Sequence, residues 1–287
     1  MAESGLSTAL QLGYRSDNLD WNIAGDINGE TPDVLSELQW SHLQVSQLKL
    51  SMEVFQADFY LRGNLSYGEI INGENRDSDY LFDDRRGEFS RTNNAVGGEL
   101  ADASVGVGRK FDTSDGRGKF SSYIMPMLGY SIHSQNLQIT DGFQTLPATG
   151  AFPGLDTNYE TEWQGAWVGL VFAEENTQTD LEIEMSLIYH AVDYQAEADW
   201  NLREEFAHPK SFEHLASGHG FTLSLNGRSP VDSSKSLFWV FGIDYGRWQT
   251  RAGLDVTYFA DASTEITRLN KVNWESSVIN FGLELRM

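Results

Sequence analysis

The sequence contains no cysteine, which excludes disulfides, thiolate zinc sites, iron–sulfur clusters and thiol nucleophiles. A cysteine-free chain fits an oxidising compartment. Basic residues are scarce: Lys plus Arg number 20 against 42 for Asp plus Glu, a net charge of -22. That balance repels phosphate backbones and favours cationic partners, so no nucleic-acid partner is expected. Long apolar runs are missing as well. No stretch approaches the roughly 18 to 20 residues that a membrane-spanning helix needs. The start, "MAESGLST", has neither a basic head nor an apolar centre, and the chain is expected to begin after an export signal, with Met1 added. No Pro-rich or low-complexity linker divides it, so residues 1–287 read as one domain.

What is present is alternation with period two, the mark of a strand with two unlike faces. From Leu181 to Ala191 the odd positions are Leu181, Ile183, Met185, Leu187, Tyr189 and Ala191, while Glu182, Glu184, Ser186 and His190 fall between them. Phe221, Leu223 and Leu225 alternate in the same way with Thr222, Ser224 and Asn226. So do Ile279, Phe281, Leu283, Leu285 and Met287 with Asn280, Glu284 and Arg286. Ten such segments are predicted, near 6–16, 37–53, 57–70, 98–111, 119–135, 160–172, 180–192, 219–229, 236–249 and 272–287. Four short turns (53–57, 112–119, 173–180, 229–235) alternate with five long connections (17–36, 71–97, 136–159, 193–218, 250–271).

Short turns at one end and long loops at the other are the layout of an outer-membrane barrel. The expected fold is therefore all-β, a ten-stranded antiparallel transmembrane β-barrel with short periplasmic turns and five long extracellular loops. Glu53, Arg62, Asp102, Glu182, Glu184, Asp244, Glu284 and Arg286 fall on polar strand faces that would line the lumen. Trp40, Tyr67, Tyr130, Trp163, Trp167, Phe172, Tyr189, Trp239 and Tyr245 are assigned to two interfacial girdles. A lipocalin-like barrel or a sandwich would also alternate, but neither explains the sorting of connection lengths. Outer-membrane strands commonly finish on an aromatic residue, whereas this chain finishes on Met287. A porin is the weaker functional option, because ten strands enclose a narrow lumen that the charged side chains would fill.

Signatures of common enzymes are missing: there is no G-x-S-x-G elbow, Walker loop or H-E-x-x-H. "GVGRKF" at 106–111 lacks a third glycine and lies in a strand, so it reads as small lumen-facing residues. His208, His214 and His219 lie close together beside Glu204, Glu205 and Glu213, but their spacing matches no recurrent zinc pattern. A polar extracellular loop is the plainer reading, and no metal site is assigned. The long connections are acidic: 17–36 holds five carboxylates and no Lys or Arg. A negative rim would gather basic peptides, or divalent cations that bridge it to lipid phosphate. Within "ENRDSDYLFDD" (74–84), Asp77 and Asp79 share a side-chain direction if the segment is extended, and such a pair can hold a proton or a water between them.

Several stretches resemble the omptins, proteases of the outer membrane of Gram-negative bacteria built as ten-stranded barrels. "SELQW" (36–40) resembles the motif that opens their second strand, "RDSDYLF" their Asp-x-Asp-aromatic stretch and "WVGLVF" (167–172) their sixth strand. "LEIEMSLIYHAVDYQAEADWN" (181–201) lies on the family pattern without a gap. The likeness covers nearly the whole chain and implies a cell-surface barrel, with outer-membrane lipid and lipopolysaccharide as partners, working as a monomer. In omptins an aspartate pair faces an Asp-x-His dyad, and together they activate a water against a peptide bond between basic residues. Asp77 and Asp79 match the pair, Asp199 matches the dyad's aspartate, and Asn201 stands in place of its histidine. An asparagine can orient a water but cannot take its proton. Glu197 matches an acid that helps to bind the basic side chain, while "NLQITDG" (136–142) carries an acid where the lipid A phosphate site would need arginine. His208 or His214 could fold back as a substitute base. The expected function is thus a degenerate, inert relative acting as a binding, adhesive or structural barrel with an acidic mouth. The alternative is an omptin-type endopeptidase that depends on lipopolysaccharide, with divalent cations at the loops and no other cofactor.

Overall fold

A computed structural model describes residues 4–113 and 119–287. Met1 and the centre of the 112–119 turn lie outside the described residues. The strands are β1 (Ser4–Ile23), β2 (Ser36–Gln56), β3 (Phe59–Phe82), β4 (Arg86–Arg109) and the two-residue β5 (Phe111–Asp112). They continue as β6 (Phe120–Leu146), the two-residue β7 (Gly150–Ala151), β8 (Asp156–Asn176), β9 (Leu181–Asp199) and β10 (Phe212–Pro230). The last three are β11 (Leu237–Thr250), β12 (Gly253–Tyr258) and β13 (Thr264–Arg286). Each long strand pairs antiparallel with the next, and β5 and β7 are short additions to β6. β11 and β12 form one stave interrupted at 251–252, because both bridge β10 and β13. β13 then pairs back onto β1, with Leu12 opposite Phe281, so the described residues close a ring of ten staves. Met287 sits in that seam despite not being aromatic: its N–H donates to the Leu6 carbonyl at 2.9 Å, and Leu6 N–H donates back at 3.1 Å.

The staves are longer than the alternation suggested. β3 and β4 have 24 residues each, whereas about 9 to 11 tilted residues cross a membrane. The upper half of the barrel therefore stands clear of the bilayer, and much of the expected loops is strand. The connections at that end shrink to 24–35, 83–85, 147–155, 200–211 and 259–263. At the tip 83–85 the chain reverses through left-handed backbone at Asp84 (φ 60°) and Arg85 (φ 55°).

The chemistry of the two faces exchanges part-way up. On β9, Leu181, Ile183, Met185, Leu187 and Tyr189 are exposed on the outer face, while Glu184, Ser186 and His190 are buried inside. Above Tyr189 the backbone keeps its phase, yet Val192, Tyr194, Ala196 and Ala198 now point inward and Asp193, Gln195 and Glu197 point out. The exposed Tyr14, Tyr67, Tyr130 and Tyr189 mark the level of the exchange, as an aromatic belt at a membrane interface would. Trp239 and Phe172 are also exposed, but Trp40, Trp163 and Trp167 are not girdle residues: all three are buried inside the barrel. Trp40 and Trp163 belong to a core that fills the upper lumen with Leu19, Trp21, Leu43, Tyr159 and Trp274. Trp167 packs in a smaller cluster below, with Met125, Met127 and Val171. There it lies against the backbone of Gly106, where an added Cβ would come within 2.2 Å of its ring.

Candidate functional site

Asp77 and Asp79 lie in strand β3, a few residues below the 83–85 tip. Tyr67 and Glu69 face outward, and a simple alternation would carry every odd residue outward too. Instead the pairing slips between Glu69 and Glu74, leaving Ile71 and Asn72 both exposed. This bulge reverses the phase, so Glu74 and Arg76 point out and Asn75, Asp77 and Asp79 point in. Asp79 stands opposite Ser36 on β2 and Ser90 on β4. Asp77 lies opposite Leu38 and Thr92, and its Oδ1 has no hydrogen-bond partner among the described residues. Burial first, and then the charge of Asp79, push the Asp77 carboxyl well above the usual carboxylate range. Burial also raises Asp79, while Ser36 and the Arg203 guanidinium pull it back. The pair is thus arranged to keep a proton, while Arg203 of the 200–211 loop, bonded to Glu205 at 2.6 Å, acts on it only through its charge.

Across the rim, the residues expected to complete the site separate. Asp199 ends β9, and its Oδ1 meets Nδ1 of His208 at 2.5 Å. Asn201 turns away: its Nδ2 donates to the Gly154 carbonyl at 2.7 Å, and its Oδ1 accepts from Asp156 N–H at 3.0 Å and Thr157 Oγ1 at 3.3 Å. It ties the 200–211 loop to the start of β8, with both ends of its amide engaged. Glu197 faces outward from the barrel wall, and Lys210 binds it at 2.7 Å and Glu213 at 3.0 Å. Arg203 and Lys210 were not singled out in the sequence, since only the closed loop places them on their partners. The three clustered histidines also diverge. His208 joins Asp199, and His219 lies exposed on the outer face beside Tyr189. His214 is fully buried beneath the rim, with Nδ1 2.9 Å from the Tyr159 hydroxyl and Nε2 3.2 Å from Asp255 Oδ1.

The outer wall above the tyrosines carries a row of carboxylates. Successive β-pairings place Glu69 opposite Glu99, Glu99 opposite Asn136, Asn136 opposite Glu160, Glu160 opposite Glu197 and Glu197 opposite Glu213. This is one lateral row across six strands. Like charges directly opposite one another on a sheet are destabilising. At the β10 end Lys210 compensates two of them, but among the described residues no ion pair reaches Glu69, Glu99, Glu160 or the neighbouring Glu162.

The sequence pattern of Pom, the Protochlamydia outer membrane protein family, matches residues 9–287. The chain belongs to that family. It is an outer-membrane protein, and its exposed apolar belt is the surface that meets lipid. No curated protein matches it. Among solved structures it resembles the outer membrane protease OmpT from Escherichia coli, with 11% identity, 99% of this chain and 97% of OmpT covered, and a TM-score of 0.77. The fold is therefore omptin-like. The translocator domain of the autotransporter NalP from Neisseria meningitidis is also similar (11% identity, 99% and 88% covered, TM-score 0.41). So is OprG from Pseudomonas aeruginosa (9% identity, 100% and 97% covered, TM-score 0.34).

Inside this Pom family barrel the lumen is closed at several levels. Near the periplasmic end Arg228 bridges Glu53, Glu182 and Glu284 at 3.0, 3.0 and 2.9 Å, and Arg62 bridges Glu53 and Glu184 at 2.8 and 2.7 Å. Higher up, Arg15 joins Asp17 and Asp102 at 2.7 and 2.8 Å, and His133 meets Asp102 at 2.9 Å. His190 rests against Ser131 and Thr222. Between these layers remain cavities of about 120 and 190 Å³, lined by both polar and apolar groups. Trp248 and Trp274, stacked 4.0 Å apart, line the upper one and begin the apolar plug.

Proposed function

We propose that the protein is a surface barrel without protease activity, whose acidic outer collar binds cationic ligands at the cell surface. The row from Glu69 to Glu160 carries this reading. Three unneutralised glutamates held in lateral register cost stability, and a cationic ligand would relieve that cost. Basic peptide segments fit such a row, as do divalent cations that bridge it to phosphate of lipid or lipopolysaccharide. The barrel needs no second copy for this role and acts as a monomer. The engagement of Asn201 with the 154–157 backbone supports the lack of turnover, because the residue matching the omptin base position is committed elsewhere.

The test is titration of refolded protein with a lysine-rich peptide, followed by calorimetry at rising salt. Binding should weaken steadily with salt, and Glu69→Gln/Glu99→Gln/Glu160→Gln should remove most of it. Unchanged binding in that triple variant would overturn the reading.

A second reading is favoured by the Asp199–His208 contact. In it, His208 serves as the base of an omptin-type endopeptidase, and Asp77 and Asp79 hold the attacking water. It requires cleavage of dibasic peptides, with lipopolysaccharide added, that is lost in both Asp77→Ala and His208→Ala.

A further inference from the structure

The lipid-facing wall between β2 and β6 is indented where small residues meet. Two outward rows cross these strands, Met52–Gly63–Val105–Tyr130 and, above it, Leu50–Leu65–Ala103–Ile132. At Gly63 and Ala103 the missing side-chain volume leaves an apolar slot of about 280 Å³, lined by these residues. A Cβ built on Gly63 would meet nothing within 4 Å, so the glycine is not needed for packing inside the protein. The next row up is Leu48–Tyr67–Ala101–Ser134. Ala101 continues the strip of small residues along β4 into a larger pocket of about 540 Å³ above the tyrosine level. That pocket is lined by Tyr67, Glu99, Asn136, Glu160 and Glu162, with no Lys or Arg among its lining residues. Tyr67 donates its hydroxyl to Glu99 at 2.5 Å, which leaves the rest of that carboxylate open to the pocket.

An apolar slot at the depth of lipid chains, joined to carboxylates at the depth of lipid heads, has the polarity of an amphiphile with a cationic head. We propose that slot and pocket together form a binding site for a single lipid: one acyl chain fills the slot over Gly63 and Ala103, and a protonated amine head sits among Glu99, Glu160 and Asn136. The dispersion contacts of the chain supply retention. The carboxylates supply the choice of head, since an anionic head would meet like charge. The head end shares Glu99 and Glu160 with the collar, whereas the chain end does not: Gly63 lies four residues below Tyr67 on β3, out of reach of a soluble peptide.

The test uses the full chain, refolded in mild detergent with equal amounts of phosphatidylethanolamine and phosphatidylglycerol of identical chains, followed by native mass spectrometry. One retained phosphatidylethanolamine is expected, preferred about tenfold. Gly63→Leu should cut retention of both lipids severalfold without changing binding of the lysine-rich peptide. Glu99→Gln/Glu160→Gln, which leaves the slot intact, should retain lipid but lose the preference. Equal retention of the two lipids by the wild type would overturn the proposal. So would a Gly63→Leu protein that holds lipid as the wild type does, or a Glu99→Gln/Glu160→Gln protein that keeps the preference.

Discussion

The two halves of the barrel solve the same problem with opposite surfaces. Below the tyrosine belt, residues such as Leu187 and Phe281 face out and the interior is ionic, with Arg228 and Arg62 among buried glutamates. Above it, Asp193, Gln195 and Glu197 face out and the interior is a core of tryptophan, tyrosine and leucine. One strand, β9, runs through both regimes without changing its backbone phase. What changes is the solvent, since lipid surrounds the lower half and water the upper, and each half places toward its surroundings what those surroundings accept. The plug fills the upper lumen, so Asp77 and Asp79 stand near its rim, below the 83–85 tip.

Breaking the lower half should have the largest effect. Arg228→Ala would leave Glu53, Glu182 and Glu284 without their shared counter-charge in a buried site, at a cost of about 3 to 5 kcal/mol. Its midpoint for urea unfolding in detergent or lipid should fall sharply, if it folds at all. A smaller effect separates two outward positions of β9. Met185→Lys places a charge near the middle of the lipid-facing belt and should cost about 2 to 4 kcal/mol, whereas Gln195→Lys, on the wet face, should stay within about 0.5 kcal/mol. Equal losses at the two positions would mean that the exchange of faces at Tyr189 does not mark the membrane boundary.

The smallest change concerns the rim. Because burial raises both Asp77 and Asp79 in the folded state, their favourable contribution is complete below the ordinary carboxylate range and is lost as pH rises through the raised values. Asp77→Asn should therefore raise the thermal midpoint at pH 7 modestly, and the gain over wild type should vanish on acidification toward pH 4. A variant that is less stable than wild type at pH 7 would contradict the burial argument.

Much of the barrel was legible because its lower half follows the simple rule of apolar out and polar in. Leu181 to Tyr189 and Ile279 to Met287 are examples, and the seam and ring follow from them. Alternation alone reads the upper half as loop, and the reason is physical. Val192, Tyr194, Ala196 and Ala198 alternate cleanly, but with the faces exchanged, and at Ile71–Asn72 the bulge breaks the period altogether. The same exchange explains why Trp40 and Trp163, placed in a girdle from their spacing, belong to the plug. At the rim, the common direction of Asp77 and Asp79 follows from an i, i+2 spacing on extended chain. The fate of Asn201, Glu197 and His208 depends on how the 200–211 loop closes, and no local pattern encodes that closure.

Binding without cleavage is decided by one dibasic peptide incubated with wild type and Asn201→His side by side, with lipopolysaccharide present and both binding and cleavage recorded. Salt-sensitive binding to both proteins and no cleavage by the wild type are expected. Wild-type cleavage that disappears in Asp77→Ala and Asp79→Ala would contradict this expectation.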